Sequence, residues 1–436
     1  MPTLLLKHLR PRRIRWALVL MLVTALSVGA STAHPQPTAA QAAAADGLVC
    51  TTSGSPNAAF TLTTATGYVG TPDDNVVFSW GFALSGSPFQ YPSPVLCVTE
   101  GDTVTVILNN TLGEDVSLVF PGQQNVLANG APSEPQFSGS AVTSLAPVAT
   151  PGGSMTYSFV ASEPGTYIYE SGANPMKQVN MGLFGVLVVR PSNNPGFAYN
   201  SANSAYNTDK EFMVLLSEID PMLNRAVERG RPFNFNNYKP RYFMLNGRGF
   251  PDSIAPNNAS WLPSQPYGAL VRVNPNDATN TLPALIRYIN VTGQDMPFHP
   301  HGYNGRVIGR DGRPMVDGSA DISFEKYSVN IGPGQTWDLT ATWYDAESYE
   351  EGTSSVPVVI PNVQNVFYGE FYSGSPYLGT NGAIPVGNTS QNQCGEYYII
   401  SHNHSLFQIT SWGIPMTGPI TYLRVDPPLP NNCPLP

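Results

Sequence analysis

Ala284-Leu-Ile-Arg-Tyr-Ile-Asn290 runs into Asp295-Met-Pro-Phe-His-Pro-His-Gly302, and the same pair of segments stands earlier in the chain. There, Gly101-Asp-Thr-Val-Thr-Val-Ile-Leu-Asn109 alternates apolar and polar residues, as a half-buried strand should, and leads to Asp115-Val-Ser-Leu-Val-Phe-Pro-Gly122. Asp115 aligns with Asp295 and Gly122 with Gly302, both at an offset of 180 residues. Two further segments repeat in the same order. Pro151-Gly-Gly-Ser-Met-Thr-Tyr-Ser-Phe159 echoes Pro333-Gly-Gln-Thr-Trp-Asp-Leu-Thr340, and Gly182-Leu-Phe-Gly-Val-Leu-Val-Val-Arg-Pro191 echoes Gly418-Pro-Ile-Thr-Tyr-Leu-Arg-Val-Asp-Pro427. A period this long means duplicated domains and not a solenoid. Short strands between Gly and Pro turns make each copy a β-sandwich or Greek-key barrel.

Composition agrees. The 436 residues exceed one average core, so two domains are the natural expectation. Only 12% of residues are charged, while 40 Gly and 42 Pro supply turns for an all-β chain. The N-terminus reads as a secretory signal over residues 1–33: a basic stretch from Lys7 to Arg15, an apolar run from Trp16 to Ala25, and small residues at Ser31 and Ala33. The apolar run is short for a membrane span. A flexible tail follows over 34–47, and the expected location is secreted or otherwise extracytoplasmic, in a periplasm or at a cell surface. Losing residues 1–33 leaves 16 basic against 30 acidic residues, a charge of −14 that excludes a nucleic-acid backbone as partner. The expected domains are 48–191 and 243–436, joined by a linker over 192–242. That linker holds one apolar strand, Phe212-Met-Val-Leu-Leu216, and one short helix, Pro221–Arg229. In an oxidising compartment the four cysteines pair most naturally within domains, as Cys50–Cys97 and Cys394–Cys433, although spacing alone does not fix connectivity.

The six histidines carry the chemistry. His8 lies in the signal, and His34 at the cleavage point leads into an Ala-rich tail. The other four form two His-X-His pairs, His299/His301 and His402/His404. Residues i and i+2 of a strand point to one face, so each pair aims two imidazoles in one direction. Two such strands set against each other offer four nitrogen ligands suited to copper, zinc or iron. Strand-end polarity would account for one pair; two identical motifs favour a metal. Met176, Met181 and Met296 read as core filler, because methionine commonly fills irregular apolar gaps.

Phe298-His-Pro-His-Gly302 with Val307-Ile-Gly-Arg-Asp-Gly312 resembles the last-domain signature of multicopper oxidases, and Ser401-His-Asn-His404 resembles that family's later His-Cys-His motif. Tyr167-Ile-Tyr-Glu-Ser-Gly172 and Met181-Gly-Leu-Phe-Gly185 resemble its first-domain motifs. The resemblance implies two tandem cupredoxin-like domains and copper as cofactor. It also marks departures. The first-domain positions matching His299 and His301 hold Val119 and Pro121, and those matching His402 and His404 hold Glu170 and Gly172, so half of the family's trinuclear ligand set is missing. The type 1 copper ligands fall on Met296, Asn403 and Gln408, with no thiolate. The expectation is therefore a type 2-like copper site on His299, His301, His402 and His404, opening toward the first domain near Glu170. Glu170 reads either as an oxygen ligand or acid/base group, or as an interface carboxylate. Three functions compete: a reduced copper oxidoreductase, an extracellular copper-binding module, and a structural or interaction module on a degenerate oxidase fold. A homo-oligomer is left open.

Overall fold

In the computed structural model, which describes residues 46–278, 280–344, 396–431 and 433, the two repeats form four main sheets stacked in four layers, with three two-stranded ribbons beside them. Each repeat contributes two. In the first, Val76–Leu84, Asn57–Gly70, Thr103–Asn109 and Ser154–Val160 lie side by side in the outer sheet, extended by Leu127–Ala128 and Ala131–Pro132. Thr51–Thr52, Leu96–Thr99, Phe184–Arg190 and Gly165–Glu170 form the inner one. The Cys50–Cys97 disulfide joins the segment before Thr51 to Leu96–Thr99. The second expected bridge involves Cys394, which lies outside the described residues.

The second repeat mirrors this plan. Its inner sheet contains Tyr242–Leu245, Glu211–Ile219, Ala284–Asn290, Thr336–Ala341 and Gly305–Arg310. Its outer sheet runs Val271–Val273, Ile420–Val425, Tyr397–Asn403, Met296–Pro300, Val329–Ile331. Alternation along the strands builds the cores, because successive side chains leave opposite faces. Val104, Val106 and Leu108 fill the first domain's core with Leu96, Leu187 and Tyr169. Phe298, Ile286, Leu339 and Leu423 fill the second.

The strand read within the linker is longer than expected and belongs to the inner sheet of the second repeat. Glu211–Ile219 pairs in parallel with Ala284–Asn290 and is buried along its whole length. It has two apolar faces. Phe212, Val214 and Leu216 enter the second domain's core, while Met213, Leu215 and Ile219 enter a third core between the domains. Opposite them in that third core stand Ile168, Phe184, Val186 and Val188 of the first domain. The helix expected over 221–229 is present as Pro221–Glu228, with Pro at its start and Asp220 accepting the Met222 N–H at 2.8 Å. A second helix, Pro175–Met181, escaped the strand-directed reading. Its signature is Pro at the first turn and Gly182 just past the end, where a Cβ would lie 2.2 Å from the Trp80 carbonyl oxygen.

The seam between the domains also holds a buried ionic cluster. Arg287, 1% exposed, donates to Glu211 Oε1 at 2.8 Å and to Thr166 Oγ1 at 2.8 Å, and lies 3.5 Å from Asp338 Oδ2. Arg190 holds the other oxygen of Glu211 at 2.6 Å, and the Tyr199 hydroxyl donates to Asp338 at 2.5 Å. Burial pushes Glu211 up, but the two guanidiniums outweigh it and hold the carboxyl below its ordinary range. For Asp338 burial wins over Arg287, Tyr199 and Thr166, and the group is raised. Charges this deep persist because each has a partner.

Candidate functional site

His299 and His402 stand directly opposite each other on neighbouring antiparallel strands, Met296–Pro300 and Tyr397–Asn403. The two strands lie side by side in one sheet, so all four imidazoles project from a single face. Met296 and Phe298 point inward and are fully buried; His299 and His301, which follow them at the opposite parity, point outward. The same parity buries Asn403 and turns His402 and His404 outward. Ring centres are 4.6 Å apart for His299 and His301, 5.4 Å for His402 and His404, 5.2 Å for His299 and His404, and 5.1 Å for His301 and His402.

Two backbone carbonyls orient the rings. The Nδ1 of His299 lies 2.7 Å from the Tyr327 carbonyl oxygen, and the Nδ1 of His402 lies 2.8 Å from that of Asn403. A carbonyl only accepts, so both Nδ1 atoms carry the proton and both Nε2 atoms are left as lone pairs. His301 Nε2 and His402 Nε2 are 3.1 Å apart, with His301 as the donor to that lone pair. Burial, followed by the other three imidazoles, holds His301 below its ordinary value, and burial lowers His402 as well. Neutral imidazole is the ligand form. The donor set therefore suits a borderline metal such as copper, though among the described residues no three such side chains already converge their donor atoms on one point. His301 and His404 are exposed; His299 and His402 are the members oriented by backbone carbonyls.

Glu170 is not brought to this cluster. It sits in the inner sheet of the first domain, at the end of Gly165–Glu170. Ile168, with the same parity, enters the core between the domains, whereas the imidazoles leave the outer face of the outermost sheet. The expectation that the quartet opens toward Glu170 thus fails within one chain: two sheets intervene. Among the described residues no hydrogen bond or ring contact joins them, and burial alone raises the Glu170 carboxyl. The repeat alignment itself is reproduced in register. Val119 bridges Glu170 as His299 pairs with His402.

The positions matching the type 1 ligands do meet, as a sealed amide network. Asn403 Nδ2 donates to Gln408 Oε1 at 2.6 Å and approaches Met296 Sδ at 2.8 Å. Gln408 Nε2 in turn donates to Gln294 Oε1 at 3.1 Å. These residues do not fit a type 1 copper: the pocket has no thiolate and no imidazole, and its amide groups already satisfy one another. Sequence reasoning missed two features of the site. Tyr327, 68% exposed, sets its ring edge-on to His299 at 5.6 Å, and nothing in its local sequence marks it. The amide network was legible only as missing ligands.

Four stacked β layers with a surface quartet of imidazoles define a two-domain β-sandwich protein. Residues 86–194 match the multicopper oxidase family. Over 260 residues the chain is 28% identical to Laccase-1 of Cryptococcus neoformans var. neoformans, covering 57% of this chain and 36% of the relative. Over 172 residues it is 28% identical to the copper-containing nitrite reductase of Neisseria gonorrhoeae, covering 38% of each. The matched stretches thus span less than half the length of these relatives. A blue copper oxidase from Nitrosomonas europaea shares the fold, with a TM-score of 0.54 at 18% identity and 85% of both chains covered. Residues 86–194 are thus similar to a multicopper oxidase domain, and the all-β fold is shared with a solved blue copper oxidase.

Proposed function

We propose that this protein binds one copper ion on His299, His301, His402 and His404 and works outside the cytoplasm as a reduced, multicopper-oxidase-like oxidoreductase. The observation that carries the reading is the register: His299 opposite His402, with every imidazole of both pairs on one face and two Nε2 lone pairs oriented by carbonyls. Copper there would supply a type 2-like redox centre. The chain's own residues do the rest. His299 and His402 are held with Nδ1 protonated and Nε2 unprotonated, His301 and His404 would complete the ligand set, and the lowered values of His301 and His402 favour the neutral ligand form at neutral pH.

The second reading is a non-catalytic copper-binding or structural module. It is favoured by the filled amide network where electrons would enter the family's oxidases. One preparation separates the readings. Protein purified without added copper is titrated with cupric ion. One ion per chain, with a weak type 2-like spin-resonance signal and no intense blue colour, is expected. The double variant His402→Ala/His404→Ala should lose tight binding and keep its β circular dichroism. Stoichiometric copper in the double variant, or strong blue colour in the parent, would sink the proposal. Turnover of a reductant by loaded parent protein selects the enzyme; loading without turnover selects the module.

A further inference from the structure

We propose that the groove beneath Trp412 is a binding site for small anionic aromatic molecules, separate from the imidazole face. The groove encloses about 310 Å³ where three parts of the chain meet: Val76 and Phe78 of the first domain, Arg225 and Glu228 of the helix Pro221–Glu228, and Tyr242 and Trp412 of the second domain. That volume is at the lower end of small-ligand sites. It shares no residue with the histidine quartet and stands whether or not that quartet holds a metal.

Trp412 is placed against its backbone preference. The strands Thr410–Ser411 and Ile414–Pro415 are joined by the two-residue turn Trp412-Gly413, with φ of 52° and 82°. Such a turn favours Asn, Asp or Gly at its first position, and a bulky residue there is strained. Burial does not compensate, because the indole remains 48% exposed. Its ring meets Tyr242 edge-on at 6.3 Å, and the Arg241 guanidinium lies 5.1 Å from its centre. An exposed aromatic ring held in a disfavoured turn over a groove is what a stacking platform requires.

The charges around the groove select the ligand. Glu228 is engaged by the Tyr68 hydroxyl at 2.7 Å. Asp73, behind the groove, accepts from Tyr242 at 3.0 Å, from Asn75 at 2.9 Å and from Thr71 at 2.6 Å. Both carboxylates thus already accept hydrogen bonds from neutral donors. Among the described residues the Arg225 guanidinium has no ion-pair or side-chain hydrogen-bond partner, in a chain of formal net charge −9. A free guanidinium fork matches a carboxylate, and the indole beside it matches a ring.

The test is a titration of the full chain with benzoate, followed through the tryptophan indole N–H resonances, with cyclohexanecarboxylate and benzamide as comparators. Benzoate should bind at least about ten-fold more tightly than either. Arg225→Gln should reduce benzoate affinity about ten-fold or more while leaving benzamide unchanged. Trp412→Asn should abolish the preference for the aromatic acid and shift the melting temperature by no more than about 3 °C, since Asn suits the turn. Equal binding of benzoate and cyclohexanecarboxylate, full affinity in Arg225→Gln, or a large loss of thermal stability in Trp412→Asn would each overturn the assignment.

Discussion

Replacing Asn403 with Cys restores the family-like residue at the type 1 position, and the structure says it should harm the protein without creating a blue site. Asn403 is fully buried between the outward-facing His402 and His404. Its Nδ2 serves Gln408 Oε1 at 2.6 Å, and its Oδ1 accepts the Ser405 N–H at 3.1 Å. A cysteine is a weak donor and acceptor, so the side-chain oxygen of Gln408, a residue 3% exposed, loses its strong donor. Orphaning one buried polar group costs about 1–3 kcal/mol, and losing the turn bond at Ser405 adds about 1 kcal/mol. The expected loss is roughly 2–4 kcal/mol, a large share of the ~5–15 kcal/mol typical of a folded domain. Urea denaturation, read by tryptophan fluorescence and by circular dichroism, measures it. Copper added to the folded variant should give no intense blue band, because Met296 and Gln408 still stand where imidazoles are needed. A variant within about 0.5 kcal/mol of the parent, below the net value of a typical hydrogen bond, would refute the reasoning. So would a blue copper-loaded protein.

Arg287→Met should destabilise by about 3–5 kcal/mol at pH 7, since it strands Asp338 and half of Glu211 as buried carboxylates. Without the guanidinium Asp338 rises further above its unfolded value and Glu211 loses much of what holds it below its own, so the deficit should shrink as pH falls; a deficit independent of pH in denaturation curves would contradict the cluster's electrostatic role. Glu170→Gln should stabilise the protein at pH 7 and not at pH 4. A carboxyl raised by burial alone imposes its penalty only above its unfolded value, near 4.3. Equal stabilisation at both pH values would show that Glu170 has a compensating partner. Removing Cys97 as Cys97→Ser should cost roughly 2–4 kcal/mol under oxidising conditions and nothing measurable in reductant, judged from paired melting curves.

How far the sequence reaches can be judged residue by residue. The all-β class, the duplication and the equivalence of Val119 and Glu170 with His299 and His402 all follow from local patterns: period-2 alternation, Gly/Pro turns and an ordered internal repeat. Strand parity also placed the two imidazoles of each pair together, because i and i+2 share a face whatever the tertiary context. The Cys50–Cys97 bridge was reachable from the expected compartment and domain boundaries. What local pattern does not encode is which sheet a strand joins and what lies across each face. Glu211–Ile219 looked like a strand stranded in a linker; only the stacking of the inner sheets shows it buried on both sides. Arg287, Glu211 and Asp338 are far apart in sequence, and their mutual neutralisation exists only once three strands are packed against Thr166. The same holds for Glu170. Its sequence position matches His402, but the layer order aims it into the seam while the quartet leaves the opposite side of the stack, since facing is set by long-range packing and not by the spacing of neighbours.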